Sequence, residues 1–301
     1  MSFLGKSLLD TDSLQPEQIF FLFEKARKIR DRKSSPAQNK TVALMFFEPS
    51  TRTRASFEMA AYRLGCHVLN LDPSRSSVVK GETIEDTAQN IEALGPDCII
   101  VRHAGAGMPQ QLSQRVKIPV INAGDGMRGH PTQALLDAFT ILEERGRIEG
   151  ERVLLVGDIM HSRVARSNFN LLTKLGATIG VCGPSTLRPE LLGQKGYKLF
   201  TQLEEGLEWS TVCMLLRIQT ERMESFQIPS MGEYNARFGL TPDKLRYFRD
   251  DGIIMHPGPV NRGVEITSSA MEDRRCRILT QVRNGVFVRA ALLSSILGVE
   301  V

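Results

Sequence analysis

Thr41-Val42-Ala43-Leu44-Met45-Phe46-Phe47-Glu48-Pro49-Ser50-Thr51-Arg52-Thr53-Arg54-Ala55-Ser56-Phe57-Glu58 runs from an apolar segment through a proline into helical spacing. Thr41 to Phe47 has the length and composition of a buried strand. Pro49 ends it, and Ser50 or Thr51 can cap a helix reaching Gly65, with Ala55, Phe57, Met59, Ala60 and Leu64 expected on its core face. The turn between them is suited to an anion. Unpaired helix N–H groups and the positive end of the dipole point there, two hydroxyls add donors, and Arg52 and Arg54 add forked guanidinium groups that match phosphate. The competing reading is a capped surface helix with two arginines in water.

Outward from this stretch the alternation continues. A helix near 15 to 31 precedes it. His67 to Leu71, Cys98 to Val101 and Pro119 to Asn122 read as strands, separated by helical stretches near 82 to 94 and 108 to 116. A long amphipathic helix, roughly Pro131 to Arg147, leads past Gly150 to a new strand, Arg152 to Val156. Further strands are expected at Thr178 to Cys182, Val212 to Leu216 and Ile253 to Met255. This order predicts an α/β protein of two doubly wound parallel-sheet domains, with the active site in the cleft between them. The boundary is expected at the Pro131 helix, giving domains of residues 1–131 and 132–282, with the final helix, about 283–301, returning to the first. Ile228 to Thr241 reads as a mobile loop.

Composition narrows the function. A chain of 301 residues, 42% hydrophobic, can bury a large core. Met1 to Asp10 holds no long apolar region, and no stretch approaches a membrane span, so the expected location is the cytoplasm. The five cysteines are widely spaced without a C-x-x-C and read as buried thiols. A net charge of +4 with dispersed basic residues argues against nucleic-acid binding and is compatible with small anionic substrates.

Four of the five histidines, His103, His130, His161 and His256, follow expected strands, where parallel sheets place ligands. Gly124 to Gly129 matches G-x-G-x-x-G, but His130-Pro131 stands where that fingerprint needs close helix packing. His130-Pro131-Thr132-Gln133 reads better as a helix start, where a histidine is expected to be neutral and able to donate to a carbonyl. Gly157 to Asn168 repeats strand, turn and arginine-bearing helix, a second anion pocket. Arg217 and Gln219 fall on one side by the two-residue period; facing one cleft, Arg163 and Arg217 would suit a dicarboxylate, and the competing reading is surface ion pairing. Ser76 to Glu82 reads as a solvated loop or a cationic lid around Lys80, and His256-Pro257-Gly258-Pro259 as a rigid turn with a candidate cis peptide.

Together these segments resemble the aspartate carbamoyltransferase catalytic-chain family along nearly the whole sequence. Six motifs carry the resemblance in order: Ser50 to Arg54, Lys80-Gly81-Glu82, Arg102-His103, His130 to Gln133, Asp158 to Arg166, and His256 to Pro259. The resemblance implies transfer of the carbamoyl group of carbamoyl phosphate to the amine of L-aspartate in pyrimidine synthesis, with no cofactor, metal or covalent intermediate. It implies that Ser50, Thr51, Arg52 and Thr53 hold the phosphate, that Thr53, Arg102 and His130 surround the carbonyl oxygen, and that Gln133 lies near the carbamoyl nitrogen. Arg163, Arg217 and Gln219 would bind aspartate, with Pro257 and Gly258 offering backbone carbonyls. The catalytic set would be Arg52, Thr53, Lys80, Arg102 and His130. Residues 1–131 would form the carbamoyl phosphate-binding domain and 132–282 the aspartate-binding domain. A homotrimer is implied, in which Ser76 and Lys80 enter the neighbouring subunit's site and Lys80 also reaches aspartate. Regulatory chains or a dihydroorotase remain open as further partners. Gly258 departs from the leucine or alanine frequent in the family. The sister ornithine family carries a cysteine in the segment where this chain has His256 to Pro259, and the two arginines favour aspartate. A non-catalytic scaffold of the same fold is the alternative of another class; its signature, a lost site residue, is not seen.

Overall fold

The computed structural model describes residues 3–31, 38–71, 81–188, 196–219 and 230–300. Ser76 and Lys80 lie outside them. In chain order the first elements are α1 (Pro16–Asp31), β1 (Thr41–Phe46), α2 (Thr51–Arg63), β2 (His67–Leu71), α3 (Ile84–Ala93), β3 (Cys98–His103), α4 (Met108–Ser113), β4 (Val120–Asp125) and α5 (Pro131–Arg145). They are followed by β5 (Arg152–Val156), α6 (Arg163–Lys174), β6 (Thr178–Cys182), β7 (Lys198–Phe200), α7 (Leu203–Trp209) and β8 (Val212–Leu215). The rest are α8 (Met231–Phe238), α9 (Pro242–Leu245), β9 (Ile253–Met255), α10 (Ser268–Met271) and α11 (Ile278–Leu297).

Two all-parallel sheets result, with strand orders β2-β1-β3-β4 and β7-β6-β5-β8-β9. Parallel neighbours need crossovers, and the intervening helices supply them while covering apolar faces. In the first sheet Ala43, Met45, Ile99, Val101 and Val120 share one face and pack on Ala88 and Ile91 of α3 and Leu112 of α4. In the second, Leu154, Val156, Cys213, Leu215 and Ile254 pack with Leu203 and Leu207 of α7 and Tyr234 and Phe238 of α8. The chain divides into two units, Met1–Leu136 with Val282–Val301, and Asp137–Gln281, so the division falls inside α5 and inside α11. Within the first unit, Arg289 of α11 donates to Ser56 Oγ at 2.8 Å and lies over the Phe57 ring, 5.2 Å from its centroid. Such a buried cation over a ring contributes about 1–2 kcal/mol.

Several expectations are corrected. The buried face of α2 is Thr53, Ser56, Phe57, Ala60 and Ala61, with Leu64 just beyond, whereas Ala55 and Met59 are exposed. At about 100° per residue, positions two before and two after Phe57 turn well away from it. The helix α5 is not amphipathic over its first three turns, because Pro131 through Ile141 are all buried. It is a core helix, hydrophobic enough to be enclosed yet carrying Asp137 at 0% exposure. The expected loop from 228 to 241 contains α8, started by Ser230, whose hydroxyl accepts from Glu233 N at 3.0 Å. That Ser-x-x-Glu capping signal, with Tyr234 and Phe238 four residues apart, was readable in the sequence. The last helix starts at Ile278, five residues before the expected position. The short edge strand β7 had no alternation long enough to reveal it.

Candidate active site

Where neighbouring parallel strands send their connections to opposite sides, the carboxyl ends leave a crevice for ligand. In the first sheet this point lies between β1 and β3, and in the second between β5 and β8. Every sequence-selected site residue among the described residues belongs to a segment at or just after the carboxyl end of a strand at, or next to, one of these two points.

At the first point, Ser50 is the N-cap of α2 and its side chain makes no bond to the helix amides. The first turn contains no acidic residue. Ser50 is half-buried, Thr51 and Arg52 are exposed, and Thr53 is buried. The first-turn amides have no carbonyl partner within the helix, so donors and dipole converge on the Ser50 end. Arg102, paired in register with Phe46, ends β3 alongside. Its Nε is 3.3 Å from Glu48 Oε2 and its Nη1 donates to Ala123 O at 3.3 Å. Glu48 was not singled out from the sequence; its place inside the turn, beside a strand-end arginine, is the only signal. Arg54, expected as a second phosphate-matching guanidinium, is instead engaged by Glu58 Oε1 at 3.3 Å and Asn70 Oδ1 at 3.1 Å. The helical period explains this, since Arg54 and Glu58 are four residues apart.

His130 is buried at the start of α5, its carbonyl accepting from Gln133 N at 3.0 Å and Ala134 N at 3.2 Å. Gln133 is buried one turn on. The Gly124–Gly129 segment does not form a dinucleotide loop. Asp125 Oδ1 accepts from Gly129 N at 2.9 Å and Oδ2 from Gly107 N at 3.0 Å, so a carboxylate of the chain occupies the place of a pyrophosphate.

At the second point the backbone of Gly157 has φ of +124°, and a Cβ there would meet Leu216 O at 2.9 Å and the Tyr234 hydroxyl at 3.1 Å. Only glycine lets the ends of β5 and β8 approach so closely. Asp158, fully buried, accepts from His161 N at 3.0 Å and lies 3.0 and 3.2 Å from His161 Nδ1. Facing a carboxylate, Nδ1 is the ring's donor, and the ring is held in place. Ser162 caps α6 by accepting from Ala165 N, and Arg163, 7% exposed, opens that helix. After β8, Ile218 is buried while Arg217 and Gln219 are half-buried, as the two-residue period requires. Gln219 Nε2 donates to His161 O at 3.2 Å.

Glu265, missed in the sequence, ties the second of these ends to the third. Its carboxylate accepts from Ile218 N at 2.8 Å, from Asn261 N at 2.7 Å and from Asn261 Nδ2 at 2.8 Å. His256, after β9, accepts from Gly258 N on Nδ1 at 2.8 Å, which places the ring proton of the neutral form on Nε2, 3.9 Å from Glu265 Oε2. Pro257 and Gly258 are half-buried, and Gly258-Pro259 is cis. The five thiols are free, and burial pushes those of Cys66 and Cys182 up to about 11 and about 12. Among the described residues no three His, Cys, Asp or Glu side chains group as a metal site, and no helix is long and apolar enough to cross a membrane.

Comparison with known proteins finds two family models along the chain. Residues 6–143 match the family model of the aspartate/ornithine carbamoyltransferase carbamoyl-P binding domain, and residues 149–296 that of the Asp/Orn binding domain. The aspartate carbamoyltransferase catalytic subunit of Syntrophotalea carbinolica is 46% identical over 306 residues, covering 100% of this chain and 98% of the relative. Aspartate transcarbamoylase from Trypanosoma cruzi, solved with N-(phosphonacetyl)-L-aspartic acid, superposes with a TM-score of 0.90 at 30% identity, over 98% of this chain and 97% of that one. Ornithine carbamoyltransferase from Pyrococcus furiosus gives 0.88 at 28% identity over 99% of both chains. With both halves of the sequence matched and a relative this similar along its full length, the chain belongs to the aspartate/ornithine carbamoyltransferase family.

Proposed function

We propose that this chain is an aspartate carbamoyltransferase, converting carbamoyl phosphate and L-aspartate to N-carbamoyl-L-aspartate and phosphate in pyrimidine biosynthesis. The observation that carries this reading is the pairing of an acid-free, hydroxyl-bearing helix start beside Arg102 at one switch point with Arg163, which opens the helix after β5, and Arg217, just past β8, at the other. The first set suits a phosphate dianion and the second a dicarboxylate. Fold likeness extends to the ornithine enzyme and does not choose the acceptor; the 46% identical relative and the second arginine favour aspartate.

In the proposed mechanism Ser50, Thr51, Arg52 and Thr53 hold the phosphate. Thr53, Arg102 and His130 donate to the carbonyl oxygen, Gln133 meets the carbamoyl nitrogen, and Arg163, Arg217 and Gln219 hold the acceptor carboxylates. The neutral amine attacks the carbonyl carbon, forming a C–N bond while charge builds on oxygen. Donors fixed at that oxygen lower the barrier most. The C–O bond to phosphate then breaks, and the departing phosphate takes the amine proton. Pro257 and Gly258 carbonyls orient the attacking amine. The carbamoyl phosphate-binding domain is assigned to residues 1–131 with the final helix, and the aspartate-binding domain to 132–282. We also infer a cytoplasmic homotrimer in which Ser76 and Lys80 serve the neighbouring site. Free buried thiols support the location.

Incubation of the purified chain with carbamoyl phosphate and either L-aspartate or L-ornithine tests the reaction. Carbamoyl aspartate alone is expected; citrulline would assign the chain to the ornithine branch, and neither product would overturn the enzymatic reading. Shared sites are tested by mixing inactive Lys80→Ala and Arg52→Ala chains, which should recover activity after subunit exchange.

A further inference from the structure

Asp137 sits in the middle of the apolar helix α5, between Leu136 and Ala138, at 0% exposure. A carboxylate there is costly unless its oxygens are hydrogen-bonded. Oδ1 accepts from Gln281 Nε2 at 2.6 Å, and Oδ2 accepts from Asn168 Nδ2 at 2.7 Å. Both partners are themselves oriented. Gln281 Oε1 accepts from His256 N at 3.0 Å, so its amide nitrogen must face Asp137. Asn168 Nδ2 also donates to Val164 O at 3.1 Å, within α6. Gln281, Asn168 and His256 are each no more than 1% exposed.

Resting on the aspartate-binding role given above to Arg163, Pro257 and Gly258, we propose that Asp137 is a positioning residue for the amine acceptor. Its carboxylate joins the backbone at the start of the His256–Pro259 turn, through Gln281, to α6, whose first residue is Arg163. Both acceptor-holding elements are thereby referred to one fully buried group. The relay requires an acceptor on both oxygens. An amide in place of the Asp137 carboxylate would turn an NH2 group toward one of two NH2 donors, releasing either the turn or the helix. Displacements of about 1 Å at a reacting centre cost about 100-fold in rate.

The test is steady-state kinetics of Asp137→Asn with each substrate varied, alongside Asp137→Asn/Asn168→Asp. The swapped pair restores the donor and acceptor order between α5 and α6, at the loss of the bond to Val164 O: the amide introduced on α5 donates to the carboxylate introduced on α6, and its oxygen accepts from Gln281. Asp137→Asn is expected to lower kcat/KM for aspartate by about 10- to 100-fold while the KM for carbamoyl phosphate moves less than about threefold. The swap should recover at least half of that loss on a logarithmic scale. An unchanged aspartate kcat/KM, or equal loss for both substrates without recovery in the swap, would overturn the role and leave Asp137 a plain stability element. Should Asp137→Asn fail to fold, Gln281→Met, which breaks the link to His256 N at nearly constant volume, decides in its place: unchanged aspartate kinetics there also overturn the proposal. Wild-type chain that makes no carbamoyl aspartate refutes the parent reading instead, so the two failures are distinct.

Discussion

The two halves of the candidate site occupy equivalent places, the switch points of two parallel sheets, but with different means of support. In the first, the donors are backbone amides, hydroxyls and the side chains of Arg52, Arg102 and His130 around a helix start without acidic residues. In the second, the groups that hold Arg163, Arg217 and the Pro257-Gly258 turn in place are buried carboxylates: Asp158 on His161, Glu265 on Ile218 and Asn261, and Asp137 on Asn168 and Gln281. A helix start is a fixed electrostatic feature of the backbone, whereas loop-borne side chains need a buried acceptor to choose their position. The end proposed for phosphate is therefore organised by secondary structure and the end proposed for the acceptor by side-chain networks.

The largest separation between the halves should come from truncating their direct donors. Arg102→Ala removes a donor to the developing oxyanion and is expected to lower kcat by about 10²- to 10³-fold, or about 3–4 kcal/mol. Glu48→Gln, which loosens Arg102 without removing it, should lose distinctly less; equal losses would mean that Arg102 acts only through its ion pair. Next in size, Arg217→Ala should raise the aspartate KM by about 10- to 100-fold, as expected for a charged hydrogen-bonding group, with little change for carbamoyl phosphate. If carbamoyl phosphate is affected equally, the assignment of Arg217 to the acceptor fails.

A smaller effect separates support from contact. Glu265→Gln places an NH2 group toward Ile218 N or Asn261 N, leaving a buried donor without an acceptor at a cost of about 1–3 kcal/mol in stability. Thermal unfolding should show that loss, and the aspartate KM should rise by about tenfold as the Arg217 backbone relaxes. A lower melting temperature with unchanged aspartate KM would show that the network supports the fold and not the acceptor.

The same contrast governs what could be read from the sequence. The strand, proline break and Ser50 to Thr53 were legible because one contiguous segment contains them, whereas Arg102 and His130 come from other segments. The parallel sheets were legible because apolar runs alternated with helical spacing. Asp137, Glu48 and Glu265 were not, since each acts on residues distant in sequence: Asp137 on Gln281 is a separation of 144 residues. A trace existed in each case. Asp137 lies inside Leu135-Leu136-Asp137-Ala138-Phe139 and Glu265 between Val264 and Ile266, acidic residues directly flanked by apolar ones. Arg54 misled because nearness to the motif outweighed the four-residue spacing to Glu58.

The smallest expected effect compares thiols in the two units. Burial first, then the charge of Asp97, raises Cys66 to about 11 against a partial opposing effect of Lys40; burial raises Cys182 to about 12. In the unfolded chain both lose their protons near the ordinary thiol value of about 8.5. Between that pH and the folded value the native state binds more protons than the unfolded one, so stability falls as pH rises. The contribution is complete below about pH 8.5, declines through about pH 11 for Cys66, and continues to decline to about pH 12 for Cys182. Urea unfolding under reducing conditions at successive pH values should therefore give a shallower alkaline decline for Cys66→Ala than for wild type, with the difference fully developed by about pH 11. For Cys182→Ala the difference should still be growing there. Parallel curves would show that neither thiol is held protonated by its surroundings.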